Sequence, residues 1–165
     1  MLKVFSKVLA FGAISVAFAS SSSVSLSADV TGNASAQIQT AVSVVENTTM
    51  SFGDTAVDAS GGTVSMTSTG SVTGPAGYSF SGSPAAGAFT VTADASTAVT
   101  ISFTDGSLTG PGTAMVLNNF THDAGGTPTT TAGGSLAFNV GGDMVVNATQ
   151  TSGAYTGTYT VTVNY

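Results

Sequence analysis

Cysteine and tryptophan are absent from the 165 residues, and Lys3 and Lys7 are the only lysines or arginines. Each absence removes something. Without cysteine there is no disulfide to staple an exported domain and no thiolate for a zinc site. Without a lysine or arginine beyond residue 7, nothing can neutralise phosphates, so nucleic-acid binding is excluded. Adhesion to anionic lipid by charge goes with it. Ion pairs cannot hold the domain together, and isopeptide cross-links between surface subunits lack their amine. Stability has to come from packing and from backbone hydrogen bonds.

The two lysines mark a leader. They precede the apolar run Val8–Ala19, which ends in Ala17-Phe18-Ala19, the small-x-small pattern that a signal peptidase accepts. Residues 1–19 are therefore expected to be a signal peptide, with an alternative cleavage site near 27–28. At about 12 residues the run falls short of the roughly 20 that a membrane span needs, so no stable span is expected in the mature form. Export removes both lysines, and the net charge moves from −6 to −8. About 140 residues remain, enough for one core, and residues 29–165 are expected to form a single domain.

What the chain has in abundance is alternation. Apolar residues recur with period two, in runs rich in Thr, Val, Ile, Phe and Tyr that are separated by Gly, Ser, Asn, Asp and Pro. The runs predict strands over 30–44, 49–52, 63–68, 77–81, 89–93, 99–103, 114–120, 136–140, 144–147 and 155–165. Asp105-Gly106 reads as a tight turn, and Gly141-Gly142 as the turn of a hairpin. Residues 123–134, rich in Gly and Thr, read as a mobile loop. Short strands at intervals of roughly 8–12 residues predict an all-β fold, an antiparallel β-sandwich of immunoglobulin-like kind.

Candidate chemistry is thin. His122 is the single histidine, and Asp123 follows it. Neighbours on a strand point to opposite faces, so Asp123 is badly placed to orient the imidazole, and no Gly-x-Ser-x-Gly elbow exists. Asp54 with Asp58, or Gly141-Gly142-Asp143, could be thought of as a calcium turn, but calcium wants a converging set of oxygens and no such loop is present. A glycosidase needs two acids facing one cleft, whereas the eight acids here sit mostly in turns. Asn33, Asn47, Asn119 and Asn147 begin Asn-x-Ser/Thr sequons, several of which a chain so rich in serine and threonine holds by chance. The reading is therefore no enzyme, no catalytic residue, no metal and no cofactor.

The ends of the mature chain carry the most information. One face of the last strand is Tyr155, Gly157, Tyr159, Val161, Val163 and Tyr165, and the opposite face is threonine and asparagine. Near the other end, Val30, Gly32, Ala34, Ala36 and Ile38 alternate with polar residues. An alternating C-terminal strand closing on an aromatic, with a Gly-containing apolar extension before the domain, resembles the chaperone–usher pilins. More closely, the chain resembles an exported bacterial family of domains of unknown function. The residues that carry the likeness are Met50–Gly53, Phe89–Thr92, Phe138–Val146 and, most specifically, Gln150–Tyr165. The resemblance implies a pilin-like sandwich that assembles by β-strand addition, with residues 30–38 as donor strand or as the domain's own first strand. It implies partners too, either further copies of the chain or a pilus-assembly chaperone. The expected role is a structural or adhesive protein of the periplasm, cell surface or extracellular space, a fimbrial subunit among the possibilities. A small outer-membrane barrel and a secreted carbohydrate-binding module also fit the pattern.

Overall fold

The computed structural model describes residues 26–165, so the expected leader over 1–19 lies outside the described residues. Alternating side chains give each strand one apolar face, and the fold is all-β and antiparallel, with no helix among the described residues. The strands are β1 (Ser43–Thr48), β2 (Asp54–Ala56), β3 (Gly62–Met66), β4 (Val72–Thr73), β5 (Ser79–Ser81), β6 (Gly87–Thr92), β7 (Thr100–Thr109), β8 (Met115–His122), β9 (Ser135–Val146) and β10 (Thr156–Asn164). The large sheet runs β1-β6-β9-β8-β7-β10, with β3 also on β9 and β4 on β3, while β2 and β5 pair separately.

β9 organises the sheet. Its first half pairs with β6, from Thr92↔Ser135 to Gly87↔Val140, and its second half pairs with β3, from Met66↔Gly142 to Gly62↔Val146. β8 takes the other edge. The hairpin expected at Gly141-Gly142 does not form, because β9 runs straight through. These glycines answer a lack of room. A Cβ on Gly141 would strike the Met66 carbonyl oxygen, and one on Gly142 would lie 2.7 Å from Cδ1 of Phe120. They stand where β3 and β6 succeed each other along one edge of β9.

Asp105-Gly106 is likewise no turn. It lies inside β7, where the two residues oppose Tyr159 alone, between the pairs Thr158↔Ser107 and Thr160↔Thr104. That is a β-bulge. A second interrupts β8, where Asn119 and Phe120 oppose Gly142 between Asn118↔Asp143 and Thr121↔Gly141. Asn119 has φ 50°, in the left-handed region that asparagine tolerates better than most residues. The bulged stretches bring Phe120 and Tyr159 together, with ring centroids 4.6 Å apart. Phe103 meets Phe120 at 5.6 Å, and Phe89 meets Tyr159 edge-on at 6.3 Å.

Those two rings join the two halves of the core. One half is built on Val64, Met66, Met115, Leu117, Met144 and Val146, the other on Phe89, Val91, Val99, Phe138, Val140 and Val163, and Phe120 and Tyr159 pack on both. In the second half, Val161 and Val163 of β10 and Ile101 and Phe103 of β7 share one cluster with Phe89 and Val91 of β6 and Phe138 and Val140 of β9. The continuous sheet thus curls until side chains of β7 and β10 pack against those of β6 and β9. Val64, Val91 and Val140 are fully enclosed, each worth about 1.5–3 kcal/mol of apolar burial.

Three further expectations change. Of the predicted 30–44 strand only Ser43 and Val44 are paired, at the start of β1, and residues 26–42 have no strand partner. Gly32, Ala34 and Ala36 offer too little apolar surface to hold a strand in place unaided. The run over 49–52 supplies only a bridge, Ser51↔Ala85, and the strand follows at Asp54–Ala56. The loop over 123–134 is tied down: the Val99 N–H donates to the Pro128 carbonyl at 2.8 Å, and the buried Thr130 hydroxyl reaches the carbonyls of Asp94 and Thr97.

Candidate functional site

Along the large sheet, β1 pairs only with β6, and β10 only with β7, so each has one free edge among the described strands. Free edges carry unpaired N–H and C=O groups, ready to accept another strand. Five antiparallel pairings separate β1 from β10, so the two run in opposite directions.

Both strands line a cleft of about 1190 Å³. Val44 and Glu46 come from β1, and Gly157, Tyr159 and Val161 from β10. Phe52, Phe89, Met115, Leu117, Met144 and Val146 also line it, and all six are core residues. Five of them, all but Phe89, belong to the first half of the core, which forms the floor of the cleft and is itself buried. Gly157 is required at its place because a Cβ there would run into the Ser107 carbonyl of β7.

Of the last-strand residues singled out in the sequence, Tyr155, Gly157, Tyr159 and Val161 line the cleft. Val163 lies in the second core half instead, and Tyr165 stands at the end of β10, partly exposed. The Tyr155 hydroxyl is locked: it donates to the Thr151 carbonyl at 2.7 Å and accepts from Gly112 N at 2.9 Å and Gln150 Nε2 at 2.7 Å. Tyr159 is the opposite case, with a buried hydroxyl that has no hydrogen-bond partner. Burial, helped by the charge of Glu46, pushes its pKa from 10.0 up to about 12. The folded state thus favours the neutral phenol. Its contribution is complete below pH 10 and drains away as pH rises through about 12. Urea midpoints measured between pH 9 and 12 should fall, and Tyr159→Phe should remove part of that fall.

The segment bearing Val30, Gly32, Ala34, Ala36 and Ile38 makes no strand pairing, and Val30 and Ile38 are 95% and 94% exposed. His122 and Asp123 form no catalytic pair. Nδ1 of His122 accepts the Ala124 N–H at 3.2 Å, and the ring lies near Phe103 and Phe138. The Asp123 carboxylate is engaged by Asn139, from N at 2.7 Å and from Nδ2 at 2.8 Å. Asp58 caps Ser60 N, and Asp143 accepts from Asn119 Nδ2. Among the described residues, no three His, Cys, Asp or Glu side chains converge on one point.

Sequence reasoning missed most of the cleft. Met115, Leu117, Met144 and Val146 look like any other alternating core positions, and nothing local in the chain says that they floor a cleft. It also missed contacts made by Thr40 and Asp94, whose partners lie 54 to 125 residues away.

A family model described as a domain of unknown function (DUF4402) matches residues 42–165, a span that contains all ten strands. No curated protein and no solved structure matches the chain.

Proposed function

We propose that this chain, which belongs to the DUF4402 family of domains of unknown function, is an exported structural or adhesive subunit of the bacterial surface that assembles by β-strand addition. The observation that carries the reading is the cleft lined by β1 and β10, which core side chains floor beside two unpaired strand edges. Such a cleft offers a guest strand both backbone partners and apolar pockets, the two requirements of strand addition. The second support is the exposed alternating segment over 30–38. The leader-like residues 1–19 support export. A lipid-embedded barrel fits less well, because it must leave no edge unpaired.

The reading gives no role in catalysis to any side chain, and its partners are other copies of the chain or an assembly chaperone that occupies the cleft first. Its test is assembly of the chain produced without residues 1–19. Sizing and negative-stain microscopy over a range of concentrations should reveal linear assemblies that persist in unheated detergent. A monomer at every concentration that instead binds an oligosaccharide saturably would replace this reading with that of a binding module.

A further inference from the structure

The cleft carries a charge that no side chain of its lining balances. On β1, Val44 stands opposite Val91 and Glu46 opposite Phe89. Directly opposed residues share a face of the sheet, and Val91 and Phe89 are buried, so Glu46 occupies an inward-facing position on an edge strand. It lines the cleft and stays exposed. After burial, its charge is the second cause of the raised Tyr159 pKa, so the carboxylate acts across the cleft on β10. Asp54, the other acid of the lining, lies on β2, outside the large sheet, with its carboxylate against Gly82. No lysine or arginine follows Lys7, and His122, the single histidine, is not in the lining.

A copy of the chain is a poor source of the missing cation. Residues 30–38 hold no charged side chain, and two chains without their leaders bring −8 each together. An inward charge on an edge strand also keeps like edges apart. A guest strand with one lysine or arginine among its inward positions gains the pair with Glu46, while the apolar floor takes its other inward side chains. The field of an acidic domain speeds the approach of such a guest and slows that of another copy. We infer that Glu46 makes the cleft selective for a cationic amphipathic strand from a polypeptide other than this chain, an inference that rests on the strand-addition reading above. Such a guest competes with a neighbouring copy for the same cleft.

Three labelled peptides of nine residues, the length of β10, test this by fluorescence anisotropy with the chain produced without residues 1–19. Each alternates threonine and valine, with one internal valine replaced by lysine, by norleucine or by glutamate. Competition from assembly acts on all three alike and cancels in the ratios of their affinities. The lysine peptide should bind about 10-fold or more tighter than the glutamate peptide at roughly 0.15 M salt. Glu46→Gln should bring that ratio within about 3-fold, and Glu46→Lys should invert it. Asp143→Asn removes the same net charge from the face of β9 opposite Met144, and should leave the ratio unchanged. Melting curves identify any Glu46 variant that fails to fold, and the other variant then decides. Equal binding of the three peptides, or a ratio that Asp143→Asn lowers as much as Glu46→Gln, overturns the role of Glu46 and leaves strand addition standing. Binding of none of the three, in any background, overturns both.

Discussion

A chain lacking residues 20–38 should fold to the same all-β domain yet remain monomeric where the chain beginning at residue 20 assembles. Folding should survive because the first strand starts at Ser43, and the compact unit that holds every strand spans Gln37–Tyr165. Assembly should fail because the deletion removes the alternating segment over 30–38, which has no strand partner. Val30 and Ile38, with two alanines, would bury apolar area worth roughly 5–8 kcal/mol in a neighbour's cleft. Ladder hydrogen bonds add about 1 kcal/mol each. At about 1.4 kcal/mol per tenfold, the loss weakens association by several orders of magnitude. Analytical ultracentrifugation of the two chains measures it. A truncated chain that polymerises as before would end the strand-addition account.

Phe120→Ala should be among the most damaging single substitutions in the domain. The ring stacks on Tyr159, meets Phe103, and packs on both halves of the core. Its removal leaves a cavity between them, at a cost of about 3–5 kcal/mol. For a domain of this size that lowers the melting temperature by roughly 10–20 °C. Val116→Ala, four residues earlier on the exposed side of the same strand, should stay within about 0.5 kcal/mol. A double-mutant cycle of Phe120 with Tyr159 should show coupling of at least about 0.5 kcal/mol, as expected for residues in contact. Urea denaturation provides all of these numbers. If Phe120→Ala costs no more than Val116→Ala, the bulges are not what joins the core.

The same two aromatics mark the limit of what could be read from the sequence. Period two located most of the strands, and Val64 with Met66, or Phe89 with Val91 and Ala93, lie buried on the faces that alternation assigned them. Turn signals misled where glycine serves closeness instead of reversal. Asp105-Gly106 is a bulge, and Gly141-Gly142 is the crossing point of β9, because a side chain at Gly106, Gly141 or Gly142 would meet the facing strand or ring. Local sequence does not distinguish a glycine that bends the chain from one that admits a neighbour. The last strand was legible in place and face, and four of its six inward positions do line the cleft. That a cleft lies beside these strands was not legible. It depends on β1 and β10 each lacking a second neighbour, a property of topology that no run of residues encodes.

The most direct measurement is amide hydrogen exchange along β10 in the chain lacking residues 20–38, with and without a synthetic peptide of residues 29–39. The account predicts that amides of Thr156–Asn164 not paired to β7 exchange freely alone and become protected when the peptide is added. Exchange along β10 that is unchanged at saturating peptide, or protection confined to strands away from β1 and β10, would contradict it.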